Sequence, residues 1–174
     1  MPRHFHEELE ALKQTLLAMG GLVEDQIRRV MKALLERDDV MAQEVVERDR
    51  QVNTYDVEVD EQCVSLLALY QPAAGDLRFI TTAMKIVTDL ERIGDQAVNI
   101  AQRAIELHQE PQLKPYIDLP RMADKAQRMV KESLDAFAEA IERILAEAED
   151  DPEVAKSARV TPYSTSSPSS MNPV

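Results

Sequence analysis

Residues 89–101 read DLERIGDQAVNIA. Leu90, Ile93, Ala97 and Ile100 recur at steps of three and four, the spacing that puts side chains on one face of an α-helix. The pattern runs on in both directions, from about Ala73 to His108. Ile80, Met84, Val87, Gly94, Val98, Ala101 and Ile105 continue the face, and Ile86 with the four residues above widens it to nearly half the helix. So broad an apolar face predicts at least two neighbouring helices. Glu91 and Asp95 stand four residues apart at its border, and Asn99 falls one turn further on. Like charges at that spacing repel by roughly 0.2–0.5 kcal/mol, more where the face is partly buried. A bound cation offsets that cost, as does pairing with Lys or Arg or simple exposure to water.

Upstream, Phe5, Leu9, Leu12, Leu16, Met19, Val23, Ile27, Val30 and Leu34 predict a first helix of about 30 residues, on the order of 45 Å long. Gly20 and Gly21 mark a close helix contact or a small bend within it. Asp38 and Asp39 end it and offer a cap to the next helix. Met41, Val45, Val52, Tyr55, Val59, Cys63, Leu66 and Tyr70 form a second stripe, stopped by Pro72. The short connections force antiparallel neighbours, so residues 1–112 are expected to form an up-down three-helix bundle in an all-α protein. Pro111, Pro115 and Pro120 mark a linker. A fourth helix, about Leu119 to Asp150, then carries Met122, Met129, Leu134, Phe137, Ile141 and Leu145. Its stretch Met129-Val130-Lys131-Glu132-Ser133-Leu134 echoes Leu22-Val23-Glu24-Asp25-Gln26-Ile27, as though residues 113–150 were the linker and first helix of a second, incomplete repeat. Residues 151–174 end in an uncharged run of mostly Ser, Thr, Pro and Asn and are expected to be disordered, as a linker or the product of an altered reading frame.

Composition narrows the function classes. With only four glycines and 4% aromatics, the chain has little material for hairpins. A net charge of -12 disfavours nucleic acid, whose phosphates it would repel. No run approaches the roughly 18 apolar residues of a membrane span, and no signal-peptide core opens the chain, so a cytoplasmic protein that is not membrane-inserted is expected. Cys63, the single cysteine, lies on an apolar face and reads as inert core in a reducing compartment.

The second helix repeats the acidic pattern of the third. Asp56 borders its apolar arc and Asp60 lies one turn on. At 100° per residue each second acid sits about 40° round from the first. The hinge at Gln71-Pro72 makes residues whose numbers sum to about 146 level, to within about one helical turn, which sets Asp56 opposite Glu91. Four carboxylates, Asp56, Asp60, Glu91 and Asp95, can then line one seam. Oxygen donors of this kind suit Mg, Ca, Mn or iron.

Other chemistry is weaker. A di-iron bundle needs Glu-x-x-His, which His4, His6 and His108 do not supply. Phosphate-binding glycine loops and nucleophile triads are absent from the sequence, so no enzyme activity is expected. Asp76 and Arg78 open the third helix, where an acid is favoured by the helix dipole but can also serve a metal or partner surface. Lys85, Arg92, Gln96 and Arg103 form an outer polar stripe, solvated or a docking strip. Arg92 and Asn99 join Asp76 and Arg78 as candidate partner-surface residues.

MGGLVEDQI at 19–27, DVEVDEQC at 56–63, YQPAAGDLR at 70–78 and DLERIGDQAVNIA together resemble the PhoU family, accessory and regulatory proteins of bacterial phosphate transport. The resemblance covers roughly residues 5–150. It implies two tandem three-helix bundles whose E(D)xxxD motifs bind multinuclear metal clusters, here on Asp56–Asp60 and Glu91–Asp95, with Fe, Mn, Mg or Zn as candidate ions. It further implies a cytoplasmic negative regulator of phosphate uptake and of the phosphate-starvation response. The implied partners are the ATP-binding subunit of the phosphate ABC transporter, a phosphate-sensing histidine kinase and a second copy in a homodimer. The chain departs from the family pattern in lacking a second ERIGD-type segment. Its fourth helix is therefore expected either to pack on the first bundle or to mediate self-association.

Overall fold

The computed structural model describes residues 3–72 and 74–149. The family-unlike tail from 151 onward lies outside the described residues. Four helices follow one another: α1 (Arg3–Glu36), α2 (Asp39–Tyr70), α3 (Ala74–His108) and α4 (Asp118–Glu149). No strand occurs among the described residues.

The turns are set by local chemistry. Arg37 leaves α1 with φ 57, in the left-handed region that ends helices. Asp38 then caps α2, its carboxylate accepting from the Met41 amide at 2.9 Å. Gln71, with φ 46 and ψ 59, closes α2 the same way, and Pro72 prevents its continuation. The linker between α3 and α4 begins two residues before Pro111, but Pro120 falls inside the first turn of α4, where its missing N–H costs nothing. Arg37 also donates to the carbonyls of His108 and Glu110 at 2.5 and 2.7 Å, so the α1–α2 turn caps the far end of α3.

The apolar faces meet where their spacing requires. Phe5, Leu9, Leu12, Leu16, Met19 and Val23 of α1 are completely or almost completely buried against Val52, Val59, Cys63 and Leu66 of α2 and Phe79, Ile80, Ala83, Val87 and Leu90 of α3. A second cluster of smaller side chains, including Ala33, Ala42, Ala97 and Ala101, closes the other end of the bundle. Cys63 is core as expected: burial pushes its thiol up to about 12, helped by the charge of Asp60, and its Sγ–H points at the Ile80 carbonyl at 3.8 Å.

α4 packs on the bundle along α1. Lys13 meets Glu142 at 3.1 Å, and Gln127 donates to the Glu24 carbonyl at 3.2 Å, so the two helices are antiparallel. Gly20 lies between these contacts, and a Cβ there would collide with Leu134. Gly21 faces open space. Of the two readings of Gly20-Gly21, the close contact applies, and to the first glycine alone. Leu134, Phe137 and Ile141 enter the main core, and the rings of Phe137 and Phe79 stack at 4.9 Å. The N-terminal half of α4 stands away from α3. Met122 and Met129 are 63% and 68% exposed there, along an apolar trough floored by Ile27 and Val30 and walled by Ile93 and Ile100. Its two adjoining cavities measure about 390 and 260 Å³.

Candidate metal centre

The site is built where α1, α2 and α3 pass one another at Gly94. Gly94 is buried, and its missing side chain leaves room for groups from both other helices. The position a Cβ would take lies 3.2 Å from Gln26 Oε1, 3.3 Å from Val52 Cγ1 and 3.5 Å from Asp49 Oδ1. Val52 is wholly buried and fixes the rotation of α2, so Asp49 and Asp56, one turn either side of it, border the same seam. Glu91 and Asp95 flank Gly94 on α3.

Glu91 records the electrostatics. Burial raises its pKa above the ordinary value, and the charges of Asp95, Asp56 and Asp49 raise it further, with Arg92 opposing. Glu91, Asp95 and Asp56 are therefore brought into one acidic field, as the hinge register predicts. Asp60 is exposed and is not among the charges acting on Glu91; it acts on Cys63 instead. Asp49, a residue the sequence reading passed over, takes part.

Asp49 is divided between two environments. Its outer Oδ2 accepts from Asn53 Nδ2 at 3.2 Å, while its inner Oδ1 is buried without a hydrogen-bond partner. Gln26 is 1% exposed and neither its amide oxygen nor its nitrogen has a partner. The nearby arginines are engaged elsewhere. Arg28, Arg29 and Arg48 all bond to Asp25, and Arg29 also reaches Glu44 at 3.0 Å. Burial alone would push the Asp25 carboxyl up, but the guanidinium groups of Arg28 and Arg29 hold it below its ordinary value. One acidic cluster is thus neutralised by arginine and its neighbour is not.

The unneutralised cluster fits a hard cation in donor chemistry: carboxylate and amide oxygens, two of them buried and unpartnered, around a space that a Cβ would fill. It does not present a closed set of carboxylates. Among the described residues no three His, Cys, Asp or Glu side chains stand close enough together to hold an ion.

The remaining candidates lie apart from this point. Asp76 is half-buried in the first turn of α3, its carboxyl pushed up by burial against the opposing charge of His6. Arg78 is exposed, and its carbonyl accepts from Thr81 and Thr82. Arg92 is exposed and pairs with Asp89 at 3.5 Å; Asn99 is exposed one turn beyond Asp95. No helix among the described residues is long and apolar enough to cross a membrane.

Comparison with known proteins accounts for the bundle. A family model described as the PhoU domain matches residues 16–104, from the middle of α1 almost to the end of α3. Phosphate-specific transport system accessory protein PhoU homologs of Pseudomonas putida and Pseudomonas aeruginosa are each 47% identical over 137 residues, 78% of this chain. That match takes in 54% and 57% of their own lengths, so the chain spans about half the length of the curated relatives it matches. The crystal structure of PhoU from Pseudomonas aeruginosa superposes with a TM-score of 0.75 at 38% identity, covering 88% of this chain and 85% of that one. The phosphate transport system regulatory protein PhoU from Streptococcus pneumoniae superposes with a TM-score of 0.69 at 28% identity, covering 88% and 74%. With the hinge and the ERIGD segment inside the matched residues, and most of the bundle with them, this chain belongs to the PhoU family.

Proposed function

We propose that the chain is a non-enzymatic regulator of phosphate transport. On this reading it lowers phosphate uptake and represses the phosphate-starvation response when phosphate is ample. It does so as a cytoplasmic adaptor, itself a homodimer, between the ATP-binding subunit of the phosphate ABC transporter and a phosphate-sensing histidine kinase. What supports the reading is the match of residues 16–104 to the family model and of 137 residues to relatives named as accessory proteins of phosphate-specific transport. The exposed stripe of Lys85, Arg92, Gln96 and Arg103 on α3 and the apolar trough beside α4 are the surfaces available for such partners.

The uncompensated charge around Glu91 favours a second element, a divalent or trivalent ion (Fe, Mn, Mg or Zn) held at the seam. Such an ion would neutralise the carboxylates of Asp49, Asp56, Glu91 and Asp95 and tie α2 to α3. A bundle whose whole role is metal buffering is the alternative reading. Deleting the gene separates the two. The regulator reading expects phosphate uptake and alkaline phosphatase to stay high in phosphate-rich medium, restored to repression by the intact chain. Unchanged phosphate repression together with new sensitivity to excess manganese or iron would overturn the regulator in favour of the buffer.

A further inference from the structure

The apolar trough beside α4 is a row of two holes next to a row of two knobs. Its larger cavity is bounded on α3 by Ile86, Leu90 and Ile93, and its smaller one by Ile93, Ala97 and Ile100. The two are thus centred near Leu90 and Ala97, about 10.5 Å apart along the helix. On the opposite wall the exposed Met129 and Met122 stand at the same two levels with the same spacing. Methionine is unbranched and adapts to irregular gaps, which suits it to entering such holes. The rims are patterned in charge as well. Outside the methionines, Asp118, Lys125 and Glu132 follow one line of α4, with an acid at either end. The outer edge of α3 carries Lys85 and Arg103 at the matching ends, and all five side chains are exposed. Asp89 and Arg92, which lie between the two basic ends, pair with each other.

We propose that the occupant of the trough is a second copy of this chain, in an isologous dimer whose two-fold axis runs along the trough. This rests on the homodimer reading above and names the face that reading leaves open. A half-turn about that axis lays α4 of each protomer along α3 of its partner and preserves levels along the helices. Met122 then comes to the hole centred on the partner's Ala97, and Met129 to the hole centred on the partner's Leu90. Asp118 and Glu132 face the partner's Arg103 and the partner's Lys85, while Lys125 lies over the uncharged side chain of the partner's Gln96. Each protomer contributes the same two acid–base contacts, so an apolar centre is closed by a charged rim, as in other specific interfaces. The face is about 22 Å long, from Leu119 to Leu134, and two helices wide. That size lies at the small end of specific interfaces and makes the dimer sensitive to dilution.

The test is sedimentation equilibrium of the intact chain from dilute to concentrated solution, with hydrogen exchange read at both ends of that range. Wild type is expected to pass from monomer to dimer. Amide protons of residues 119–130, early to exchange in the lone protomer, are expected to slow with concentration while those of 134–141 do not change. Met129→Glu, which drives a charge into the partner's apolar hole, is expected to weaken the dimer by at least about tenfold. Its melting temperature in dilute solution is expected to stay at the wild-type value, because the side chain is exposed in the lone protomer. Glu132→Lys is expected to weaken the dimer by about fivefold, and adding Lys85→Glu to the same chain is expected to restore it. These surface variants keep the test decisive if Met129→Glu fails to fold. A dimer indifferent to all of these substitutions lies on another face; it overturns the trough assignment and leaves the homodimer reading standing. A dimer lost in Met129→Glu but not rebuilt by the charge exchange overturns the two-fold register. A chain that stays monomeric throughout overturns the trough assignment and the homodimer reading together.

Discussion

Glu91 and Asp25 are both partly buried carboxylates about one helix apart, and their surroundings drive them in opposite directions. Asp25 is held down, against its burial, by the guanidinium groups of Arg28 and Arg29 and favours the fold while ionised; that stability is lost as pH falls through its lowered pKa. Glu91 is held above its ordinary 4.5, by burial first and then by Asp95, Asp56 and Asp49. For an acid shifted upward, the stabilising contribution is complete below the unfolded value and disappears as pH rises through the folded one. Ionised Glu91 therefore works against folding at neutral pH. Glu91→Gln in EDTA is expected to melt above wild type at pH 7, with the difference closing below pH 4.5. Equal melting temperatures at pH 7 would show that the field at Glu91 is relieved by solvent. Glu91, Asp95 and Asp56 were legible in the sequence because acids at helical spacing on the border of an apolar arc are a visible pattern. Asp49 was passed over because its i+4 partner is Asn53, so the run is Asp-x-x-x-Asn and not a pair of acids. Gln26 carried a signal too, a polar side chain in step with Val23 and Val30, but burial of a lone amide is decided by what the other helices bring to it.

At the scale of elements, α1 is the axis on which everything else is hung, and Gly20 is where it admits α4. Gly20→Val forces Leu134 aside and is expected to cost about 1–3 kcal/mol in urea denaturation. Gly21→Ala, one residue away and facing open space, is expected to gain about 0.5–1 kcal/mol from helix propensity alone. Equal effects at the two positions would mean that the α1–α4 contact is looser than the Gly20–Leu134 approach requires. The helices themselves were readable to within a few residues, because three- and four-residue spacing, Asp38 and Pro72 are local signals. Pro120 was the exception: read as linker, it lies in the first turn of α4, a position proline tolerates as well as it tolerates a loop. The docking of α4 was open in the sequence, since an apolar stripe says how much must be covered and not by what. Phe137 against Phe79, and Lys13 against Glu142, are pairings between residues far apart in the chain that no local pattern announces.

Across the whole molecule, three helices close a bundle and the fourth lies along α1, sunk deepest in the core at one end. Leu134, Phe137 and Ile141 are sunk in the core, while Met122 and Met129 remain exposed over the trough. Burial, and with it resistance to opening, therefore changes along a single helix. Amide hydrogen exchange should read this directly. Protons in residues 119–130 are expected to exchange well before those of 134–141, and uniform protection along α4 would contradict the partial docking. Mechanically, α4 is an arm laid along α1: its far end is sunk in the core, and its near half is held to α1 by Gln127 on the Glu24 carbonyl and to α3 by the linker from 109 to 117. Closing the arm onto Ile93 and Ile100 would shut the trough without disturbing the pinned end. The wall it would close on includes Ile93, the residue before Gly94 on α3.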